Sequence, residues 1–104
     1  MTEASDQIYN KSINMIKALI LETFQDDDVK IMLFGSRARG DYNRHSDIDI
    51  GIIPKNKCDR MKLISVKDKF EEMNIPYRVD VVDISRVSNI FRKKVMEEGK
   101  IWKN

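Results

Sequence analysis

The sequence predicts one α/β or α+β domain in which helices pack on a single sheet. Segments with a helical spacing of apolar residues alternate with short apolar runs of strand length, a pattern typical of this class. The chain has 104 residues, of which 41% are hydrophobic and 35% charged. This composition suits a single domain over residues 1–104 and is too apolar for a disordered chain. No apolar run approaches the roughly 18 residues that a membrane helix needs, so we expect no membrane partner.

Cysteine content and charge narrow the class of protein further. Cys58 is the single cysteine, which excludes an internal disulfide framework and a cysteine-rich zinc site. Because the first residues lack the apolar run of a signal peptide, we expect a cytoplasmic location. The net charge is +2, with basic and acidic residues mixed along the chain. A dedicated nucleic-acid binder usually has a strong basic excess, so we expect no independent nucleic-acid binding.

The first half of the chain predicts a helix, a strand and a tight turn. Residues 5–25 place apolar side chains three and four positions apart, which forms one stripe along a helix. Residues 29–34 are an apolar run with β-branched members, which predicts a strand that stops at Gly35. The turn at residues 35–40 then opens a short helix, and Gly40 is the expected residue after its end.

The second half continues this alternation, with proline, asparagine and glycine at the breaks. The predicted elements are a strand over residues 47–53 closed by Pro54, a helix over 59–73, a strand over 77–84, a helix capped by Ser85 or Ser88 that runs to residue 98, and a short strand at 101–102. Such an order predicts one sheet covered by helices.

Two carboxylates on the second predicted strand form the first part of a candidate site. Asp47 and Asp49 are two residues apart, and successive strand side chains point to opposite faces, so these two share a face. Their Cα atoms are expected about 6.5 Å apart. The isoleucines at 48, 50 and 52 take the other face, toward the core. Carboxylates at this spacing can converge on metal ions about 3.5–4 Å apart.

A third carboxylate is expected from the next strand. Asp80 lies between Val79 and Val81, whereas Asp83 has the opposite parity and lies at the strand end. We favour Asp80, because capping of the following turn explains Asp83 equally well. Three acidic side chains without a nearby histidine or thiolate suit a hard cation, Mg²⁺ or Mn²⁺.

The turn after the first strand supplies a candidate phosphate site. Gly35 and Ser36 lie between a strand and a helix, where backbone N–H groups are exposed and can bind phosphate. Arg37 and Arg39 add positive charge nearby, and they either contact phosphate or are solvated helix residues. A phosphate-binding turn followed closely by paired carboxylates indicates a metal–nucleotide substrate.

The run GSRARGDYNRHSDIDI at residues 35–50 resembles the signature of the minimal nucleotidyltransferase (MNT) family. These proteins are small members of the DNA polymerase β-like nucleotidyltransferase superfamily. The signature combines a Gly-Ser turn, a short helix and Ser-Asp-x-Asp on the next strand. The similarity extends through the later VDVVD and EEGKIW segments. It implies a nucleotidyltransferase fold like the polymerase β palm, with a mixed sheet of three to four strands packed with helices.

The resemblance also implies a role for each motif residue. Gly35 and Ser36 match the phosphate-binding turn, and Asp47 and Asp49 match the metal ligands. Asp80 matches the third carboxylate, which assists the attacking hydroxyl or holds the catalytic metal. The implied cofactors are two Mg²⁺ ions, with Mn²⁺ as the alternative, and the implied substrate is an NTP, namely ATP.

A partner follows from the same resemblance. MNT proteins are commonly paired with a small helical HEPN protein, as antitoxin to an RNase toxin. In that family the antitoxin transfers AMP from ATP to a tyrosine of the toxin, which implies an enzyme that forms a hetero-oligomer. Two alternatives remain open at this point. One is an antitoxin that neutralises the HEPN protein by binding alone. The other is a nucleotidyltransferase that acts on RNA ends or on a small molecule.

Overall fold

The computed structural model of the chain describes residues 3–104, with side chains from residue 6 onward. In chain order the elements are α1 (Glu3–Thr23), β1 (Val29–Phe34), α2 (Ser36–Arg39), β2 (Ile48–Pro54), α3 (Arg60–Glu72), β3 (Val79–Asp83), a 3-10 turn (Ile84–Arg86), α4 (Asn89–Glu98) and β4 (Lys100–Lys103). This order confirms the predicted alternation of helices and strands. None of the helices in this range combines the length and apolar character needed to cross a membrane.

Side-chain hydrogen bonds explain where β3 ends and α4 begins. The prediction that the third strand reaches residue 84 is wrong. The Asp83 carboxylate accepts a hydrogen bond from the Ser85 backbone N–H at 3.0 Å and thereby starts the 3-10 turn. Ser88 is the cap of α4, because its hydroxyl oxygen accepts from the Phe91 N–H at 3.2 Å. Of the two predicted caps, Ser85 therefore belongs to the preceding turn.

The four strands form one mixed sheet in the order β3-β2-β1-β4. β1 is antiparallel to both β2 and β4, whereas β2 and β3 run parallel. Phe34 of β1 lies opposite Asp49 of β2, and Asp49 lies opposite Asp80 of β3. The register therefore brings the end of β1 and the two carboxylates side by side on adjacent strands.

One side of the sheet, which we call the closed face, packs against α1 and α3. Its fully buried members include Ile16 and Ile20 of α1, Phe24 directly after α1, Val66 of α3, and Ile48, Ile50 and Ile52 of β2. The alternation predicted for the three strand isoleucines is confirmed. This face contains the larger part of the hydrophobic core.

The opposite side, which we call the open face, packs against α4 and the 3-10 turn. A smaller core forms there from Met32, Phe34, Ile53, Ile84 and Val95. Asp49 and Asp80 also belong to this face, since strand residues alternate and Asp49 pairs with Phe34. A pocket remains between this part of the sheet, α2 and α4.

Candidate active site

The turn between β1 and α2 depends on two glycines with positive φ. Gly35 has φ 74° and Gly40 has φ 94°, a region that residues with a Cβ rarely adopt. The Gly35 carbonyl accepts from the Ala38 and Arg39 N–H groups, both at 3.1 Å. The Gly40 N–H donates to the Ser36 carbonyl at 2.9 Å and closes the four-residue helix. The turn thus places Ser36 directly after β1, at the edge of the pocket.

Gly35 is also required by its neighbour on β2. A Cβ added at this glycine would overlap the Oδ2 atom of Asp49 and lie 3.3 Å from its Cγ. The turn and the Asp49 carboxylate are therefore in close contact. This contact joins the predicted phosphate-binding turn to the predicted metal carboxylates.

Negative charge accumulates around Asp49. Partial burial raises the pKa of Asp49 above its usual value, and the charges of Asp80 and Asp47 raise this pKa further, while Arg39 opposes the shift. β2 begins at Ile48, so Asp47 lies one residue before the strand and is exposed. A bound cation would stabilise the charged form of this carboxylate group.

Asp80 and Asp83 lie on opposite faces of the sheet. Asp80 pairs with Asp49 on the open face, whereas Asp83 pairs with Ile52 of the closed face. The Asp83 carboxylate also accepts from the Ser85 hydroxyl at 2.6 Å, which completes its role as a cap. Asp80 is therefore the carboxylate of β3 that lies beside Asp49.

A pocket of about 450 Å³ contains most of the predicted site. Its lining residues are Gly35, Ser36 and Arg39 around α2, Asp49 and Asp80 on the sheet, and Phe34, Val82, Phe91, Lys94, Val95 and Glu98 on the apolar and α4 sides. The structure thus brings together five of the seven residues predicted from sequence. Asp47 and Arg37 lie outside this lining.

Residues 16–103 match the family described as polymerase beta, nucleotidyltransferase. The chain belongs to this family. The matched range contains the Gly35 turn and both strands that carry carboxylates. The fold, with its mixed four-stranded sheet and helices, also agrees with the family expected from residues 35–50.

Two relatives of this nucleotidyltransferase are named as protein adenylyltransferases. MntA of Haemophilus influenzae is 29% identical over 86 residues, which cover 83% of this chain and 74% of the relative. A protein of Methanocaldococcus jannaschii is 38% identical over 80 residues, which cover 69% of this chain and 75% of the relative. These relatives confirm the resemblance to the MNT family.

Two solved structures contain chains of the same fold. A chain of a toxin–antitoxin complex with AMP-PNP is similar with a TM-score of 0.64 and 27% identity, over 83% of this chain and 71% of that chain. A chain of the Shewanella oneidensis complex between an MNT antitoxin and a tri-AMPylated HEPN toxin has a TM-score of 0.59 and 23% identity, over 86% of this chain and 70% of that chain. The second likeness bears on the fold alone.

Arg39 is a cation that lines the pocket of this nucleotidyltransferase beside the phosphate-binding turn. It donates hydrogen bonds to Asp41 and to Glu98 of α4, each at 3.3 Å. These two carboxylate partners raise the pKa of Arg39. The bond to Glu98 connects α2 with the end of α4 across the pocket. The side chain is about one-third exposed, so a phosphate group can compete for it.

Arg37 is enclosed elsewhere in the structure. Only 3% of its surface is exposed, and its guanidinium lies among the rings of Tyr9, Tyr42 and Tyr77. The two arginines of α2 therefore have different environments, although the sequence could not separate them. Because it is buried away from the pocket, Arg37 is not among the residues that we propose to bind nucleotide.

Sequence reasoning did not assign α4 to the site. Phe91, Lys94 and Glu98 of this helix line the pocket, and the Phe91 ring meets Phe34 edge to face with centroids 5.8 Å apart. The available signal was the helical spacing, because residues three and seven positions apart share one face. That spacing does not reveal which face of the sheet the helix covers.

The donor chemistry of the site suits Mg²⁺. Across residues 3–104, no three carboxylate, imidazole or thiol groups form a ready-made metal cluster. Mg²⁺ usually binds through one or two carboxylates together with water and substrate phosphates, so it does not require such a cluster. Asp49 and Asp80 offer oxygen atoms beside the turn that fits phosphate. The residues present therefore fit a cation that binds together with a nucleotide.

Proposed function

We propose that this nucleotidyltransferase transfers AMP from ATP to a hydroxyl group of a HEPN-domain toxin and thereby acts as its antitoxin. The observation that carries the proposal is the pairing of Asp49 with Asp80 in a pocket that also contains the Gly35–Ser36 turn. The names of the two relatives support the reaction. The toxin–antitoxin complex with AMP-PNP supports both the nucleotide and the partner.

The turn residues are proposed to hold the triphosphate. The Gly35 turn offers backbone N–H groups, and the Ser36 hydroxyl adds a donor at the same edge of the pocket. Arg39 would exchange part of its bonding to Asp41 and Glu98 for a phosphate oxygen. These groups orient the nucleotide and stabilise the charge that develops on the leaving pyrophosphate.

Asp80 is proposed to act on the acceptor. It is exposed, lies beside Asp49 and faces the pocket. In the reaction the acceptor oxygen bonds to the α-phosphorus, and the bond from that phosphorus to the bridging oxygen of pyrophosphate breaks. The Asp80 carboxylate would accept or orient the hydroxyl proton. The acceptor proposed from the family resemblance is a tyrosine hydroxyl.

The proposed metal ligands are Asp47, Asp49 and Asp80. Two Mg²⁺ ions, or Mn²⁺ in their place, would neutralise phosphate charge and lower the pKa of the acceptor hydroxyl when bound. The contribution of the chain is to keep carboxylate oxygens beside the phosphate-binding turn. Burial and the nearby Asp80 and Asp47 carboxylates raise the pKa of Asp49, and a bound cation would offset the repulsion among these carboxylates.

The proposal extends to the assembly and the compartment of the protein. We propose that residues 1–104 act as one catalytic domain in a hetero-oligomer with the HEPN protein. Cys58 is a free thiol, which suits a reducing compartment such as the cytoplasm.

The test uses ATP labelled at the α-phosphate, Mg²⁺, this protein and a HEPN-domain protein that forms a complex with it. We expect label on the HEPN protein and loss of its RNase activity. Asp80→Asn should lower labelling by at least about 100-fold, while the complex between the two proteins persists. Asp83→Asn is the matched control, because it removes the same charge from the same strand on the other face and retains a capping side chain.

Three other results would each contradict a part of this proposal. A stable complex without label, in which toxin activity is still lost, would replace this proposal with neutralisation by binding. Label on RNA ends or on a small molecule, and none on the HEPN protein, would replace the acceptor. Loss of labelling in Asp83→Asn but not in Asp80→Asn would overturn the role of Asp80.

A further inference from the structure

A cage of three tyrosine rings surrounds Arg37. The Arg37 Cζ atom lies 4.4 Å from the ring centroid of Tyr42, 4.7 Å from that of Tyr9 and 5.0 Å from that of Tyr77. The Tyr9 ring stacks on Tyr42 with centroids 6.0 Å apart and meets Tyr77 edge to face at 5.7 Å. Each ring lies within the distance at which a guanidinium is attracted to an aromatic face.

The polar bonding of this guanidinium is concentrated on one backbone carbonyl. Nη2 and Nε of Arg37 approach the Ser46 carbonyl oxygen at 3.1 and 3.4 Å. Nη1 is buried and finds no hydrogen-bond partner among the residues that the structure describes. Among the side chains of residues 6–104, no carboxylate lies within ion-pair distance of Arg37. The tyrosine rings therefore stabilise the buried charge, and the directional bonds fix the position of residue 46.

The caged side chain contacts the segments that lead to the site. Arg37 follows Ser36 in the phosphate-binding turn, and the Ser46 carbonyl that it binds directly precedes Asp47. Tyr77 lies three residues before Asp80 at the entry to β3. One guanidinium thus contacts the segment before Asp49 and the segment before Asp80, without being part of the pocket lining.

The segment before β2 needs such a contact. Residues 41–47 contain no helix or strand, and several of their hydrogen bonds are local. The Asn43 N–H donates to the Ser46 hydroxyl at 3.0 Å, and the His45 N–H donates to the Asn43 side chain at 2.8 Å. Local bonds shape the loop but do not fix its position relative to the sheet.

We propose that Arg37 is a positioning residue that fixes residues 41–47 through the Ser46 carbonyl and the Tyr42 ring, and so holds Asp47 beside Asp49. The proposal rests on the proposed function only in taking Asp47 as a metal ligand. It assigns the two arginines of α2 to different tasks. Arg39 is proposed to bind the nucleotide, whereas Arg37 holds the Asp47 carboxylate in position.

The experiment compares Arg37→Met with Arg44→Met in the chain of 104 residues. Arg44 lies in the same loop and is exposed, and among the described residues it bonds only to His45. The first measurement is Mn²⁺ binding by electron paramagnetic resonance with a non-hydrolysable ATP analogue, which needs no acceptor and no turnover. The second is amide hydrogen exchange of residues 41–47. The third is the Mg²⁺ dependence of HEPN labelling.

We expect Arg37→Met to weaken Mn²⁺ binding about 10- to 100-fold, the range found when a group that orients a metal ligand is lost. Amide exchange should accelerate in residues 41–47 but not in β1. Excess Mg²⁺ should restore part of the labelling. Arg37→Lys, which keeps a cation in the cage and one donor for Ser46, should lie between wild type and Arg37→Met. If Arg37→Met does not fold, the same measurements are made on Arg37→Lys.

Three results would overturn the proposal. One is unchanged Mn²⁺ binding with accelerated exchange throughout the chain, because this indicates a purely structural role. Another is a raised KM for ATP at saturating Mg²⁺ with unchanged exchange in residues 41–47, because this indicates a phosphate contact. The third is an equal effect of Arg44→Met. Absence of HEPN labelling by the wild type would instead count against the proposed function, since the binding and exchange measurements still report on Arg37.

Discussion

The closed and open faces of the sheet arise from the same strands but have opposite chemistry. Along β2, Ile48, Ile50 and Ile52 are fully buried on the closed face, while Asp49 on the open face is only partly buried. Asp80 repeats this pattern on β3. Because strand side chains alternate with a period of two, one strand contributes to the hydrophobic core on one face and to the site on the other. Apolar burial on the closed face stabilises the fold and offsets the repulsion between like charges on the open face.

The largest expected effect comes from the closed face. Ile52→Ala removes a fully buried side chain between α1, α3 and the sheet, so we expect a loss of about 2–5 kcal/mol in the free energy of unfolding. Urea unfolding measures this change. Ile90→Ala is the control, because that side chain is 86% exposed and its loss should change stability by no more than about 0.5 kcal/mol. Equal losses in the two variants would contradict the burial of Ile52 in the core of the closed face.

The next effect separates activity from stability on the open face. Asp49→Asn should lower HEPN labelling by at least about 100-fold, because it removes a proposed metal ligand. It should not lower the urea midpoint at pH 7, since the charged form of Asp49 is disfavoured by burial and by neighbouring carboxylates. Asp28→Asn, which alters an exposed carboxylate paired with Lys55, should leave both quantities near wild type. A large loss of stability in Asp49→Asn would contradict the inference that the charged form of Asp49 is disfavoured in the fold.

A smaller effect distinguishes the two glycines with positive φ. Gly35→Ala and Gly40→Ala each place a Cβ at a positive φ, so each should cost about 1–3 kcal/mol of stability. A Cβ at Gly35 would also displace the Asp49 carboxylate, whereas nothing lies within 4 Å of a Cβ at Gly40. Labelling should therefore fall about 100-fold for Gly35→Ala only, the size of loss that a 1 Å misplacement can cause. Similar labelling losses in both variants would show that backbone strain alone matters.

The parts that the sequence could predict are those fixed by local rules. The period of two placed Asp80 on one face and Asp83 on the other, and the structure has them so. Strand propensity followed by a Gly-Ser pair located the turn at residue 35. These features depend on neighbours within a few residues. For that reason they could be derived without knowing how the elements pack.

The parts that could not be predicted depend on contacts between distant segments. Arg37 is buried because Tyr9, Tyr42 and Tyr77 meet around it, and no local pattern marks it apart from Arg39. The α4 side of the pocket depends on which face of the sheet that helix covers. The end of β3 was mispredicted because a side-chain cap competed with strand propensity.

The smallest expected effect is a pH dependence confined to the open face. The pKa of Asp49 is raised in the fold above 3.8, so the native state binds this proton more tightly than the unfolded state. The stability that protonated Asp49 contributes is therefore fully present below the unfolded pKa and is lost as pH rises through the folded pKa. Measured in EDTA, the urea midpoint of Asp49→Asn should exceed that of wild type at pH 7, and this difference should shrink toward pH 4. A difference that grows on acidification would mean that the pKa of Asp49 is lowered in the fold, and would contradict the effect assigned here to burial and to the neighbouring carboxylates.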